Sequence, residues 1–497
     1  MSIATAITAL QGKIANAYTA IENKGGTLPA TQNAANLAET IADIPSGGGG
    51  GDTPIWGITA LSDVCQTTNG GDLNLFGGIK NTITFSGVKT IPEERMICFA
   101  EGNPTITKVS FPDLGIIYPM ALKKAFANCT GLTSVSFPKL STFLPTSYAP
   151  TKENGAFLST FAGCSSLKSV SFIDTDEVPN FNFKVWKKTF ESTFKGCSSL
   201  VSVLFPPKVL LGIYKTGAFK ETFDGCTSLS SVSLSLNNTN IDFSIEEMFY
   251  GCFRNCTSLS SVPSIFENIT SLSMTGTNIS ACAKVFEGCT SLSSVSFTNL
   301  SLINSQYCFP GAFDGCTSLS SVSFPALKTL SNAHSCFVKA FNGCTSLTSV
   351  SFPMLSVISP GPNCFTSAFN GCTSLTSVSF PALELINSNS FNNAFNGTGV
   401  RTLSFPELTA MMWSGTMATV AMFYNDQDIV RMDFPKLTVI SPNGTASGTD
   451  AKFLFNNCTN LVELHFSSEN QAIIEASSGY STKWGAPNAN CQIYFDL

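Results

Sequence analysis

The chain is poor in charge, in histidine and in long apolar runs, and each shortage removes a class of function. Only 12% of its 497 residues are Asp, Glu, Lys or Arg, and the net charge is −6. No basic run exceeds pairs such as Lys187-Lys188, so the electrostatic footprint of a nucleic-acid binder is missing. There are two histidines, His334 and His465, far apart in the chain. No Cys-x-x-Cys pair accompanies them, which argues against zinc or another resident metal. A Gly-x-Ser-x-Gly nucleophile elbow and a phosphate loop are absent as well, and nothing points to a cofactor. No apolar stretch approaches the ~20 residues that span a bilayer. The first twelve residues lack Lys and Arg and precede no compact apolar core, so no secretory signal is expected.

What the chain has in abundance is one phrase. Phe-Asn-Gly-Cys-Thr-Ser-Leu-Thr-Ser-Val-Ser-Phe-Pro at 341–353 returns almost unchanged at 369–381, and looser copies run from Phe99 to Phe466, thirteen in all. The period settles at 28 from Cys316 to Cys344 to Cys372, and stretches to 35 between Cys129 and Cys164. A fixed period with occasional stretching means a coil with looped-out insertions. Each turn of such a coil is buried only by its neighbours.

Within a unit, Val350 and Phe352 stand two apart, which is strand periodicity, so both point inward while Ser349 and Ser351 point outward. Pro353 lacks a donor for the next ladder bond and ends the strand. Gly343 suits a tight turn before Cys344. A second apolar stretch, Leu355, Val357 and Ile358, makes another side of the coil. Strand spacing of ~4.8 Å per turn gives a rod ~60 Å long.

Twelve of the eighteen cysteines fall into two columns: Cys129, Cys164, Cys197, Cys226, Cys256, Cys289, Cys316, Cys344 and Cys372 in one, Cys308, Cys336 and Cys364 in another. Free Cys is a small buried hydrophobe, so stacked thiols are expected in place of disulfides. Thr398 and Asp426 stand where two copies would carry the Cys.

The phrase resembles the BspA-type leucine-rich repeat family, whose units read roughly Ala-Phe-x-x-Cys-x-x-Leu-x-x-Val-x-hydrophobic-Pro. The likeness covers about three quarters of the chain. It implies a mainly β solenoid used for binding, found on bacterial surface proteins and in phage genomes, and it does not imply an enzyme.

The ends differ from the repeat. Residues 2–23 read as a helix with an apolar seam at Ile3, Ile7, Leu10, Ile14, Ala17 and Ile21, in heptad steps. A second short helix near 31–43 carries Leu37 and Ile41, with Ile44 just beyond. Pro45, Ser46 and five glycines at 47–51 form a tether. Two readings of the seam stand: a homo-oligomer, dimer or trimer, or a helical hairpin docked on a partner. The first 45 residues are similar to the attachment segments heading tail and fibre proteins of phages. That similarity implies an anchor to other virion proteins and a virion location, reached by lysis. The expected division is an attachment segment at 1–45, a linker at 46–54, a cap at 55–95, the solenoid at 96–466 and a C-terminal cap at 467–497. In the last, a helix is expected over Glu469–Tyr480 and a strand over Gln492–Asp496.

Candidate contact residues sit where the repeat breaks or where it repeats outward. The breaks are 141–156 with Tyr148, 173–190 with Trp186, 406–424 with Met411, Met412, Trp413 and Tyr424, and 440–452. Aromatics in polar loops suit sugar stacking or protein contact, and Trp413 with the methionines suits the core of an irregular turn equally well. The outward column Ser321, Ser349 and Ser377 makes a hydroxyl ladder that could dock a host glycan, or simply a solvated strand face. Asp426 and Asp428 read as a hydrolytic pair or as solvated surface acids, the commoner role of such residues.

Overall fold

The computed structural model describes residues 56–57 and 81–497, apart from 144–154, 173–182, 186, 206–208, 212–215, 233–240, 243–245, 264–265, 267–268, 274–279, 332, 359–362, 388, 414–421, 443–453 and 478–479. The expected attachment helices, with Ile3, Ile7, Leu10, Ile14, Ile21, Leu37 and Ile41, lie outside the described residues, as does the glycine tether.

The repeat folds as its pattern requires. Ser349–Ser351 is a strand with Val350 buried and both serines exposed. It pairs in parallel, residue on equivalent residue, with Ser321–Ser323 before it and Ser377–Ser379 after it. The strand stops ahead of Phe352-Pro353. The chain then turns a corner into Val357–Ile358, which pairs with Thr329–Leu330 and with Leu385–Ile386. Repetition gives a parallel solenoid of about 12 turns with two β faces. The Ser-Val-Ser face comprises a six-stranded sheet from Trp56–Gly57 to Ser202–Leu204, a four-stranded sheet from Ser294–Ser296 to Ser377–Ser379, and a four-stranded sheet from Thr402–Ser404 to Gln492–Phe495. The second face includes an eight-stranded sheet from Ile241–Asp242 to Val439–Pro442.

The third side is a ladder of tight turns. N–H groups alternate between the next turn and the same turn. Phe341 donates to Ala368 O at 2.9 Å and Gly343 to Asn370 O at 2.8 Å, while Asn342 donates to Lys339 O and Cys344 to Phe341 O within the coil. Gly343 has φ +68° and Lys339 φ +54°. The left-handed residue at the third place of each turn turns the next N–H back into the coil. Glycine meets this need at Gly343 without strain. A Cβ there would meet only Gly315 backbone at 3.9 Å, so backbone conformation and not space selects it.

Phenylalanine stacks run along the axis. Phe341 lies between Phe313 and Phe369 at 5.5 and 5.6 Å, and Phe352 between Phe324 and Phe380 at 5.3 and 5.2 Å. The described cysteines are free thiols, all buried except the half-buried Cys98. Each thiol of the longer column donates to a carbonyl of the preceding turn, as Cys344 does to Phe313 O and Cys372 to Phe341 O, at 3.1 and 3.0 Å. Burial pushes the thiols up, to about 12 at Cys316 and Cys129, so they stay protonated near neutral pH.

The repeat slips near its end: placing Asp426 as the counterpart of Thr398 aligns Phe423 with Phe395, and the structure does not. Phe423 stacks on Phe391 at 5.5 Å, an earlier ring of the same turn, so the ladder loses four residues. Phe395, Gly397 and Thr398 then face no backbone carbonyls from the next turn. Asp426 Oδ1 accepts from Phe395 N–H at 2.7 Å, and Asp428 Oδ2 from Gly397 and Thr398 N–H at 2.6 and 3.1 Å. Asp426 is wholly buried, so it is not a solvated acid, and like Asp428 it is engaged by backbone N–H groups. Burial drives its carboxyl well above the usual range.

At the C-terminal end the expected single helix over Glu469–Tyr480 is shorter and broken. It comprises a 3-10 turn at Ser468–Asn470, an α-helix at Gln471–Glu475, and a 3-10 segment at Tyr480–Gly485. Trp484 is fully buried against Phe455, Phe466 and Tyr480 and covers the last turn of the core. Gln492–Phe495 adds the final strand, beside Glu463–Phe466.

Candidate binding surface

The most regular exposed feature is the four-stranded Ser-Val-Ser sheet. Val295, Val322, Val350 and Val378 are buried beneath it. Pleating therefore sends Ser294 and Ser296, Ser321 and Ser323, Ser349 and Ser351, Ser377 and Ser379 outward. The in-register pairing aligns them in two rows along the axis. The flanking row is different. Ser320, Thr348 and Thr376 each donate their side-chain hydroxyl to a carbonyl of the preceding turn, Ser293, Ser320 and Thr348, at 3.0, 3.4 and 3.5 Å. The hydroxyls of Ser321, Ser349 and Ser377 make no such bond to a described residue. Their donors and acceptors are open to solvent or to a ligand, on a flat strip without a charged side chain.

Charge collects on the turn-ladder side. Arg254 grips Asp224 through Nη2 at 2.6 Å and Nε at 2.9 Å and reaches Glu221 at 3.4 Å. Lys195 contacts Glu221 at 2.7 Å and Asp224 at 3.2 Å, and Lys220 contacts Glu247 at 2.6 Å. Farther along, amides take the place of the cations: Asn342 donates to the Asp314 carboxylate at 2.8 Å and Asn370 to Asn342 at 3.1 Å. These groups satisfy one another, so this side is a poorer candidate for recognition than the serine sheet.

The sequence-derived aromatic candidates divide. Tyr424 is 38% exposed on the turn ladder. Trp413 ends the strand Ala410–Trp413, so the first part of 406–424 is regular and not a loop. Met411 is buried in register between Ile386 and Ile440, which settles its role as core. Likewise Phe183–Val185 and Val439–Pro442 are strands inside two of the expected breaks. Tyr148 and Trp186 lie outside the described residues. Tyr307 is 37% exposed with φ +54°; the same place in the next two units holds Ser335 and Asn363, also at positive φ, so the residue type there follows no pattern that could mark it.

His465 is not isolated. Its ring packs on Tyr494 at 4.6 Å, with Nδ1 2.7 Å from Asp496 and Nε2 3.4 Å from Glu463. Its partners lie 31 residues away and two residues away, and only the stacking of successive turns reveals the first. Among the described residues no group of three His, Cys, Asp or Glu could hold a metal ion, and no helix is long and apolar enough to cross a membrane.

The family model "BspA type Leucine rich repeat region" matches in six copies, through overlapping segments 96–280, 191–311, 264–397 and 365–483. Among solved structures, the chain is similar to a leucine rich cell surface protein from Faecalibacterium prausnitzii, at 18% identity and TM-score 0.32, covering 76% of this chain and 87% of that one. It is also similar to a leucine-rich repeat protein from Eubacterium ventriosum, at 17% identity and TM-score 0.29, covering 70% and 90%. The pneumococcal vaccine antigen PcpA matches at 11% identity and TM-score 0.26, covering 84% and 79%. No curated protein matches the sequence.

Proposed function

The chain belongs to the BspA-type leucine-rich repeat family, and from that premise we propose that it is a binding protein, a phage fibre or tail-attached adhesin whose solenoid holds the bacterial surface. The observation that carries this reading is the in-register hydroxyl strip of the four-stranded sheet, whose exposed Ser321, Ser349 and Ser377 hydroxyls bond no other described residue. An uncharged array of donors and acceptors at a fixed spacing of ~4.8 Å matches a neutral, repetitive polar ligand such as a cell-surface glycan. Exposed Tyr424 and Tyr307 add faces on which a sugar ring can stack. The virion assignment rests on the similarity of residues 1–45 to phage attachment segments. In this reading the N-terminus grips other virion proteins, and its heptad seam joins two or three copies. A cell-surface adhesin of the bacterium itself is the alternative, and the presence or absence of the chain in purified particles distinguishes the two.

The direct test is binding of the purified protein to susceptible cells, with Ser349→Arg and Ser377→Arg placed together in the strip. The doubly substituted protein should keep its melting temperature and lose cell binding at least tenfold. Unchanged binding would remove the serine strip from the account and return attention to the aromatics.

A further inference from the structure

We infer that two copies of the rod pair antiparallel through the edge where the chain enters the turn ladder. A two-fold axis lies at Gly217, and the Lys187-Lys188 doublet of each copy faces the Glu246-Glu247 doublet of the other.

The ladder sets these residues in successive turns. Lys188 N–H donates to Thr216 O and Gly217 N–H to Glu246 O, both at 3.0 Å. Lys187-Lys188, Thr216-Gly217 and Glu246-Glu247 therefore hold equivalent places in three consecutive turns, the first of the ladder in each. Steps of ~4.8 Å put the basic doublet ~10 Å from the acidic one, too far for a direct ion pair within one chain. Each doublet settles half of its charge locally. Lys188 meets Glu191 at 3.4 Å, and Lys220 meets Glu247 at 2.6 Å. Lys187 and Glu246 have no ion-pair partner among the described residues, and Glu246 is exposed.

A two-fold axis across the middle turn converts this order into complementarity. It reverses the direction of the rod and lays each place of one turn over the same place of the second copy's turn at equal distance from the axis. Lys187 then stands over Glu246 of the second copy, and Glu246 over its Lys187. A parallel pair in register would set lysine on lysine and acid on acid, which is repulsive. The middle of the edge is also low. Gly217, at φ +61°, has no side chain, and the next turn outward on either side carries Gly155 or Ser280 at the same place. The two backbones can approach closely there. A second acidic doublet on this edge, Glu93-Glu94, adjoins Arg95, and a two-fold that brought it to the lysines would set the bulky Met120 beside the axis.

The serine sheet lies on another side of the coil, so this pairing leaves both strips uncovered and does not depend on what they bind. The contact is short and its attraction is between surface charges, so the pair is weak and sensitive to salt.

The test is sedimentation of the full chain at low and high salt. Raising NaCl from about 0.02 to about 0.5 M shortens the screening length from ~20 Å to ~4 Å. The mass at low salt should be twice that at high salt; an apolar seam between N-termini would not respond in this way. Lys187→Glu and Glu246→Lys each set like charges opposite one another and should weaken the low-salt pair about tenfold or more. Mixing the two variants should restore pairing, because each then presents the charge that the other lacks. The chain carrying both changes should pair as the parent does. A parent without salt-reversible pairing, variants that pair as well as the parent, or a mixture that pairs no better than its components would overturn the inference.

Discussion

Replacing Phe352 with Ala removes a ring that touches four others. Phe352 is fully buried. It stacks on Phe324 and Phe380 at 5.3 and 5.2 Å and meets Phe337 and Phe365 edge-on at 6.0 and 5.3 Å. Truncating a buried Phe costs ~3–5 kcal/mol, and aromatic pairs contribute ~0.5–1.5 kcal/mol beyond area. The neighbours belong to adjacent turns held by strand pairs on both sides, so the hole cannot collapse, and the cost should sit near the upper end, ~5 kcal/mol. Ser351→Ala, one residue earlier and outward, should change stability by less than ~0.5 kcal/mol. Stacked repeats open in local units, so hydrogen exchange reads this better than a single melting curve. Amides of Val350 and Phe352 should exchange at least ~1,000-fold faster in Phe352→Ala, a factor equivalent to ~4 kcal/mol, and be unchanged in Ser351→Ala. Equal losses in the two variants would refute the inside and outside assignment on which the fold rests.

Other consequences are as direct. Burial raises the folded pKa of Asp426 above its unfolded value. The folded state then holds the proton more tightly, and stability falls as pH rises from about 4 through the folded pKa. Asp426→Asn keeps the acceptor for Phe395 N–H and removes that loss, so its melting temperature should be higher than the parent's at pH 8 and no longer fall between pH 5 and pH 8. The thiol columns should be unreactive in the native protein, and most of the eighteen cysteines should titrate after denaturation; ready native reaction would contradict their burial. Trp484→Ala uncovers Phe455 and Phe466 and should cost ~3–5 kcal/mol, read as early fraying of the last turns by limited proteolysis.

Much of this architecture is legible because a solenoid converts sequence period into spatial neighbourhood. Val350, Phe352 and Cys344 each announce their burial by recurring every 28 residues. The outward serines follow from the same alternation. What period could not show is where the coil departs from itself. The slip at Phe423 looks like an ordinary copy in sequence, because Phe391 and Phe395 are both four-residue ladder positions and either can receive the next ring. The carboxylates of Asp426 and Asp428 then take the place of backbone carbonyls, a role that their chemistry permits but their spacing does not reveal. Met411 fits a contact loop and the core of a turn equally well in sequence, because tryptophan and methionine break the composition, and its place in the strand beside Ile386 decides for the core. The serine strip was visible as a column, and the absence of partners for its hydroxyls was not, since the neighbouring Thr348 and Thr376 bond back to the coil from nearly the same sequence context.

The central claim is that the solenoid binds the host surface and the N-terminus carries it. The chain from Asp52 onward, freed of the first 51 residues, should bind susceptible cells in a sedimentation assay, compete with whole particles for those cells, and be absent from particles assembled in its presence. A soluble, folded rod with no affinity for any susceptible cell would contradict the account.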